Sequence, residues 1–306
     1  QSLFLCCMQS MVTFQRFLSV IPKLLLTAAC PVLLPGLLAD PSHPFLFFQE
    51  TDLPQFRENV RTVPESKDSL ARMVRWLDAR PPIHLPPENP TIREEWWPAV
   101  RENGRTALYS AFLYLLEGDR QRLESAREYL MLYAEHFEDR VNFHHIEDKD
   151  GIVIYLTGDL GIRSAWTYDM IYDELSPAER TFIEDNLLRA TVQMVRETIG
   201  KTSLQELWAG DMAGETSRAP DYDWGPGQWN GNMYCNSGLA AIGFVLQDKD
   251  LIEHTIGNWK VYLERDMLAD GMWQEEDYAY SRFCYAAMQL IAEMAHQYGW
   301  HEDLYT

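Results

Sequence analysis

Positive charge is scarce in this chain. Lys and Arg number 26 against 46 Asp and Glu, a formal net charge of -20 over 306 residues. No basic stripe interrupts the deficit, which excludes nucleic acid as a partner. An anionic ligand would have to be held by a few local Arg or Lys against the global field. Cysteine is also sparse, with 5 in all. Cys6, Cys7 and Cys30 fall in the N-terminal region, leaving Cys235 and Cys284. No Cys/His spacing of the metal-binding kind occurs, so neither a metal nor a cofactor is expected. A disulfide between Cys235 and Cys284 is permitted in an oxidising compartment. The apolar helical context of each favours two buried thiols instead. Strand-type alternation is almost missing, which argues against a sheet. The longest apolar run, Leu24 to Leu38, is interrupted by Pro31 and Pro35 and is short for a membrane-spanning helix.

That run has another reading. Arg16 and Lys23 precede it, and small Ala39 stands before polar Asp40-Pro41-Ser42-His43. This is the shape of a secretory signal cleaved after Ala39. Residues 1–39 are therefore expected to be a leader, with residues 40–306 forming one catalytic domain. The protein is expected to be secreted or periplasmic, with no membrane association beyond the leader.

Helical periodicity fills most of what remains. Amphipathic patterns predict helices over 65–80, 92–116, 121–137, 159–174, 176–199, 231–246, 249–268 and 276–298. Ser176-Pro177-Ala178-Glu179 is a capping box with proline at the first helical position, the firmest local signal in the chain. Residues 139–158 read as a polar loop carrying His144 and His145, with short extended structure over Gly151 to Leu156. Successive helical hairpins without strands predict an all-α domain, a curved or closed helical array.

Aromatic residues are plentiful, at 12% with Trp 10, Tyr 15 and Phe 13. They concentrate between Trp224 and Tyr285. A glycine-rich loop, Trp224-Gly-Pro-Gly-Gln-Trp229-Asn230-Gly-Asn232-Met-Tyr234, opens a helix of small residues. About fifty residues later, Asp270-Gly-Met-Trp273-Gln-Glu275-Glu-Asp-Tyr278-Ala-Tyr280-Ser-Arg282-Phe-Cys-Tyr285 opens another. Glycine admits close backbone approach, and Trp and Tyr offer flat faces with a polar edge, a combination suited to sugars. Trp224, Trp229 and Trp273 serve equally well as sugar platforms or as a buried aromatic cluster.

Four segments, in order, resemble the heparinase II/III and alginate-lyase group of polysaccharide lyases. They are His43-Pro-Phe-Leu-Phe-Phe with Asp52-Leu-Pro; Trp166-Thr-Tyr-Asp-Met-Ile-Tyr-Asp173 with Leu-Ser-Pro-Ala-Glu-Arg180; Trp229 to Gly243; and Asp270 to Tyr280. The resemblance runs from residue 43 to the end. It implies an incomplete (α/α) toroid, without the β-sandwich domain that often follows in the group. It also implies β-elimination on an anionic, uronic-acid-containing polysaccharide of the alginate, glucuronan or glycosaminoglycan type. That reaction removes the C5 proton beside a carboxylate and expels the O4 glycosidic oxygen. A hydrogen-bond donor must neutralise the carboxylate, and a base and an acid must move the protons.

The resemblance assigns the neutralising role to Asn232 or Asn230, with Asn236 nearby. The proton transfers fall to a tyrosine, with Tyr280 ranked before Tyr278 and Tyr285. Its phenol, ordinarily of pKa about 10, needs a nearby cation, and Arg282 is the candidate. Glu275 matches a position of the group and is placed to orient Arg or Tyr. Where related lyases carry a histidine, this chain has Asn232. Asn donates but cannot act as a base near neutral pH. Tyrosine then makes both transfers, or His144 or His145 supplies the missing base. Two other readings remain: a uronosyl epimerase, or a hydrolase using paired carboxylates such as Asp223 and Glu275. The third alternative is a glycan-binding helical domain without catalysis.

Overall fold

A computed structural model describes residues 42–142, 152–201, 230–268, 270–272 and 278–305. His144, His145, Asp223, Trp224, Trp229, Trp273 and Glu275 lie outside them, as does the leader.

Local sequence sets each helix boundary. Helix α1 spans Leu53–Thr62 and α2 spans Pro64–Asp78. Val63 between them is extended, at φ -96° and ψ 116°, because the ring of Pro64 excludes the helical region for the residue before it. Helix α3, Trp97–Glu117, stops at Gly118 with φ 74°, a left-handed cap that glycine takes without strain. Asp119 then accepts from Gln121 N at 2.9 Å and starts α4, Arg120–Glu135. Helix α5 spans Ile152–Ile171. Ser176 and Glu179 form the expected capping box at α6, Pro177–Ile183. A wide π-type turn, Glu184–Arg189, joins α6 to α7, Ala190–Lys201. Helix α8 spans Asn230–Val245, and Asp248 caps α9, Lys249–Val261. Helix α10, Tyr278–Tyr298, ends at Gly299 with φ 75°.

The long-range contacts order these helices in two layers. Trp97 meets Asp159, and the Arg101 carbonyl meets Arg163 four residues further along each helix, so α3 and α5 run parallel. Tyr234 lies against Gly158, and Gly238 against Gly161, so α8 is parallel to α5. The Tyr234 and Phe283 rings are 5.0 Å apart, and those of Phe244 and Tyr298 5.3 Å, so α10 is parallel to α8. Four parallel helices thus form an inner layer with all their N-termini at one end. The outer helices run back. Asn103 meets Tyr133 while Gly104 meets Tyr129, making α4 antiparallel to α3. Asn236 meets Asn258 while Gly243 meets Leu251, making α9 antiparallel to α8. This is an (α/α) toroid of helical hairpins, as expected, and the described residues contain no strand.

The α5–α8 contact is the tightest. A methyl group on Gly158 would sit 2.6 Å from the Tyr234 carbonyl oxygen, and one on Gly161 would sit 2.9 Å from that of Gly238. Only glycine lets two backbones approach this closely.

The opposite end is closed by the segment before α1. Phe45, Leu46, Phe47 and Phe48 are all buried. Phe48 meets Phe112 of α3, Phe47 meets Trp166 of α5, and Phe45 meets Tyr298 of α10. Asp169, near the end of α5, accepts from Phe45 N at 3.0 Å, Leu46 N at 2.9 Å and His43 Nδ1 at 2.7 Å. The strap thus crosses the C-terminal ends of three inner helices.

One expectation is overturned. Residues 152–158 are the first two turns of α5, with no extended structure. Their β-branched and aromatic run mimics a strand, but α5 is buried around most of its circumference. Leu160, Ile162, Ala165, Trp166 and Tyr168 are all at most 3% exposed. A helix buried on every side carries no amphipathic signature for periodicity to detect. Helix α9 is also shorter than expected, passing at Tyr262 into a wide turn, Tyr262–Asp266.

Candidate active site

The first turns of α3, α5, α8 and α10 share one end of the inner layer, and most of the polar candidates gather there. Each helix directs the positive end of its dipole to this end. Four aligned in parallel make this end locally favourable to negative charge within an acidic chain.

Helical register sorts the candidates. On α8, Asn230 is one turn before Tyr234, and residues four apart share a face. Tyr234 points between α5 and α10, so Asn230 lies on that same inner face; it is 5% exposed. Asn232 is one turn before Asn236. Asn236 is buried, donates to the Thr255 carbonyl at 2.9 Å and accepts from Asn258 Nδ2 at 3.1 Å. Asn236 therefore faces the outer helix α9, and its hydrogen-bonding capacity is engaged there. Asn232, half-buried, lies on this outer side of α8.

On α10, Tyr280 is one turn before Phe283 and Cys284. Phe283 packs on Tyr234, and Cys284 is fully buried. Tyr280 thus occupies the face directed at α8, one turn nearer the open end, and is half-buried. Tyr278 is 70% exposed, and the Arg282 guanidinium lies over its ring at 5.8 Å. Tyr285 is two residues beyond Phe283, on another side of the helix, where burial and then the Asp270 carboxylate push its phenol upward.

Beneath this rim lies a group that the sequence reading missed. Asp159 of α5 is 4% exposed and Arg163, one turn on, 8%. They pair at 2.5 Å. Asp159 also accepts from the Tyr234 hydroxyl at 2.7 Å and from Trp97 Nε1 at 3.4 Å. Burial opposes ionisation of Asp159. Arg163, Arg101 and the hydrogen bonds from Tyr234 and Trp97 outweigh it and hold the carboxyl below its usual range. Tyr234 goes the other way: burial and then the Asp159 charge push its phenol well up. It is therefore a fixed hydrogen-bond donor, not a proton acceptor. Arg101 of α3 lies over the Trp97 ring at 5.1 Å. Arg105, one turn further, lies over Trp76 at 5.3 Å. A charged i, i+4 pair inside an otherwise apolar helix, as Asp159 and Arg163 form, was the available signal.

Cys235 and Cys284 are both buried free thiols, as their apolar contexts suggested. Burial pushes the Cys235 thiol up to about 12. Among the described residues no group of three or more His, Cys, Asp or Glu is arranged to hold a metal ion. Among them, too, no helix is long and apolar enough to cross a membrane.

No protein-family model and no curated protein sequence matches the chain. Its fold does match solved structures. One is a histidine-to-alanine variant of alginate lyase A1-III complexed with a tetrasaccharide, with TM-score 0.54 and 16% sequence identity. That match covers 87% of this chain and 74% of the other. A tyrosine-to-phenylalanine variant of the same lyase, also complexed with a tetrasaccharide, gives TM-score 0.55 and 15% identity. It covers 87% of this chain and 75% of the other. At such identity the likeness speaks for architecture, and the chain has the all-α toroid fold seen in the alginate-lyase group.

Proposed function

We propose that the protein is a polysaccharide lyase that cleaves a uronic-acid-containing glycan by β-elimination. In this reading residues 40–306 are the catalytic domain, secreted or periplasmic behind the leader 1–39. The observation that carries the proposal is the parallel register of α8 and α10. Tyr234 meets Phe283, so Asn230 and Tyr280, one turn earlier on each, approach from facing sides at the open end. The fold likeness to alginate lyases solved with a tetrasaccharide supports a glycan as the ligand class.

The chemistry follows from these residues. Asn230 donates its amide N–H to the uronate carboxylate, assisted by the helix N-termini, so the charge that develops on C5 deprotonation is stabilised. Asn232, on the outer side of α8 with Asn236, is the less suited of the two donors. Tyr280 takes the C5 proton and returns a proton to the departing O4. The C5–H and C4–O bonds break, and a C4–C5 double bond forms. Tyr234 and Tyr285 are disfavoured as bases because burial raises both phenols. Tyr278 with Arg282 beside it is the next candidate. The chain's acidity makes local donors necessary for any anionic glycan. His144, His145, Trp224, Trp229, Trp273 and Glu275 belong by sequence to segments preceding α5, α8 and α10.

The test is a time course of ultraviolet absorbance with alginate, glucuronan, heparosan, hyaluronan, chondroitin and ulvan. A lyase generates the absorbing unsaturated uronate on at least one of them. C5 hydrogen exchange without cleavage would identify an epimerase. New reducing ends without absorbance would identify a hydrolase. Either result overturns the proposal, as does a flat trace on every polymer.

A further inference from the structure

One chain of contacts ties the four inner helices together just beneath the rim. The Tyr234 ring of α8 touches two other helices. A methyl group at Gly158 of α5 would fall 2.6 Å from Tyr234 Cδ1, so the ring rests on the α5 backbone. The Phe283 ring of α10 stands 5.0 Å away, tilted by 51°. The Tyr234 hydroxyl donates to Asp159 Oδ1 of α5 at 2.7 Å. Asp159 Oδ2 accepts from Trp97 Nε1 at the start of α3. Arg163 pairs with Asp159 and donates with its other arm to the Arg101 carbonyl of α3. The link therefore runs from α10 through α8 and α5 to α3. Tyr234, Asp159, Trp97 and Arg163 are each at most 8% exposed.

Stability alone does not account for this arrangement. A buried acid–arginine pair adds little over apolar residues of the same volume, because desolvation offsets the attraction. What it supplies is direction. Apolar contacts are non-directional, whereas a carboxylate with donors in fixed places holds a hydroxyl to one position. Asp169, the other buried carboxylate of α5, takes backbone N–H groups of the strap and closes the opposite end. The partners of Asp159 are side chains from α3, α5 and α8. The hydroxyl so held belongs to a residue one turn from both halves of the candidate site. Asn230 lies one turn before Tyr234 on α8, and Tyr280 lies one turn before Phe283 on α10.

We propose that the Tyr234 hydroxyl, anchored by Asp159, is the positioning group of the candidate site, fixing α8 against α10 and so the separation of Asn230 from Tyr280. This role rests on the lyase reading for its chemistry, and Tyr234 itself touches no substrate atom. Without the hydroxyl the ring keeps its packing and loses its anchor. Phe283 and the first turn of α10 then shift with it. Misplacing a reacting group by about 1 Å through a remote change can cost a hundredfold in rate.

The test is a double-mutant cycle. Tyr234→Phe, Tyr280→Phe and the double variant are compared with the unmodified protein on the polymer that the absorbance screen selects. Tyr234→Phe is expected to lower kcat about tenfold or more and to leave KM within about twofold. In the Tyr280→Phe background the same change should cost less than about twofold, because the geometry it sets has lost its base. Equal losses in both backgrounds, or a raised KM with kcat unchanged, would make Tyr234 a packing residue and overturn the proposal. A second readout needs no substrate. Carbon-13 spectra of the tyrosine Cζ atoms, with the Tyr280 signal assigned by its loss in Tyr280→Phe, should show that signal displaced in Tyr234→Phe. An undisplaced signal overturns the proposal whatever the kinetics. If absorbance is flat on every polymer, the lyase reading fails, and a displaced signal leaves the coupling of Tyr234 to Tyr280 standing. If Tyr234→Phe turns over as fast as the unmodified protein, the lyase reading stands and the positioning role falls.

Discussion

The Tyr234 hydroxyl donates to the Asp159 carboxylate across 2.7 Å in the buried seam between α5 and α8. It is one of three bonds that allow an ionised carboxylate to persist at 4% exposure. Tyr234→Phe removes one donor while keeping the ring against Phe283. A cost of about 1–3 kcal/mol is expected for the weakened buried charge. Chemical denaturation of the two proteins measures it.

The same pair sets a pH dependence. The folded-state pKa of Asp159 lies below its unfolded value of 3.8. Its contribution to stability is therefore present in full above the usual carboxylate range. It is lost as pH falls through the lower folded value. Wild type should lose stability relative to Asp159→Asn as a titration descends below about pH 4. If the difference between the two does not change over that range, the assignment is wrong.

Tyr280→Phe is expected to lower kcat by at least about a hundredfold, the usual scale of a lost general acid–base group. Asn230→Ala should also act on kcat, since its bond strengthens as charge develops on the substrate. Tyr285→Phe, on another side of α10, should change kcat less than Tyr280→Phe. Steady-state kinetics on whichever polymer the absorbance screen selects decides the order. A Tyr285→Phe variant slower than Tyr280→Phe would reverse it.

Gly158→Ala should be among the most destabilising single-methyl changes in the chain. The new carbon would overlap both the Tyr234 ring and its carbonyl oxygen at 2.6 Å. Overpacking of this kind costs about 1–3 kcal/mol or more. Gly118→Ala meets nothing within 4 Å and suffers only from its φ of 74°. Its cost is expected near 1 kcal/mol. Thermal melts of the two variants should rank them in that order.

Cys235 and Cys284 should resist alkylation in the native protein and react on unfolding, because both are buried and the Cys235 thiol is raised to about 12. Mass-spectrometric mapping with and without denaturant checks both sites separately.

Much of the architecture was legible in the sequence because its punctuation is local. Gly118, the Ser176–Glu179 box and Asp248 each act within one turn, and each ends or starts a helix where the pattern says it should. The start of α5 was illegible for the opposite reason. Ile152-Val153-Ile154-Tyr155 has strand composition, yet it opens a helix whose later turns pack against α3 and α8. Of the candidate site, the rim residues Asn230 and Tyr280 were visible as motif residues. Which asparagine faces inward was not, since that depends on the contact between Tyr234 and Phe283. The arginine cluster was invisible, because Arg101, Arg105 and Arg163 come together only when two helices 62 residues apart are laid parallel.

The strap carries a consequence for how the chain acquires its structure. Its partners are Asp169, Trp166 and Tyr298, more than a hundred residues downstream. Synthesis begins at the amino end, so Phe47 waits for α5 and Phe45 for α10 before each meets these partners. Closure over Phe45 is then a late event that follows synthesis of α10. An apolar Phe-Leu-Phe-Phe segment left partly uncovered until those helices are made is a natural client for a chaperone.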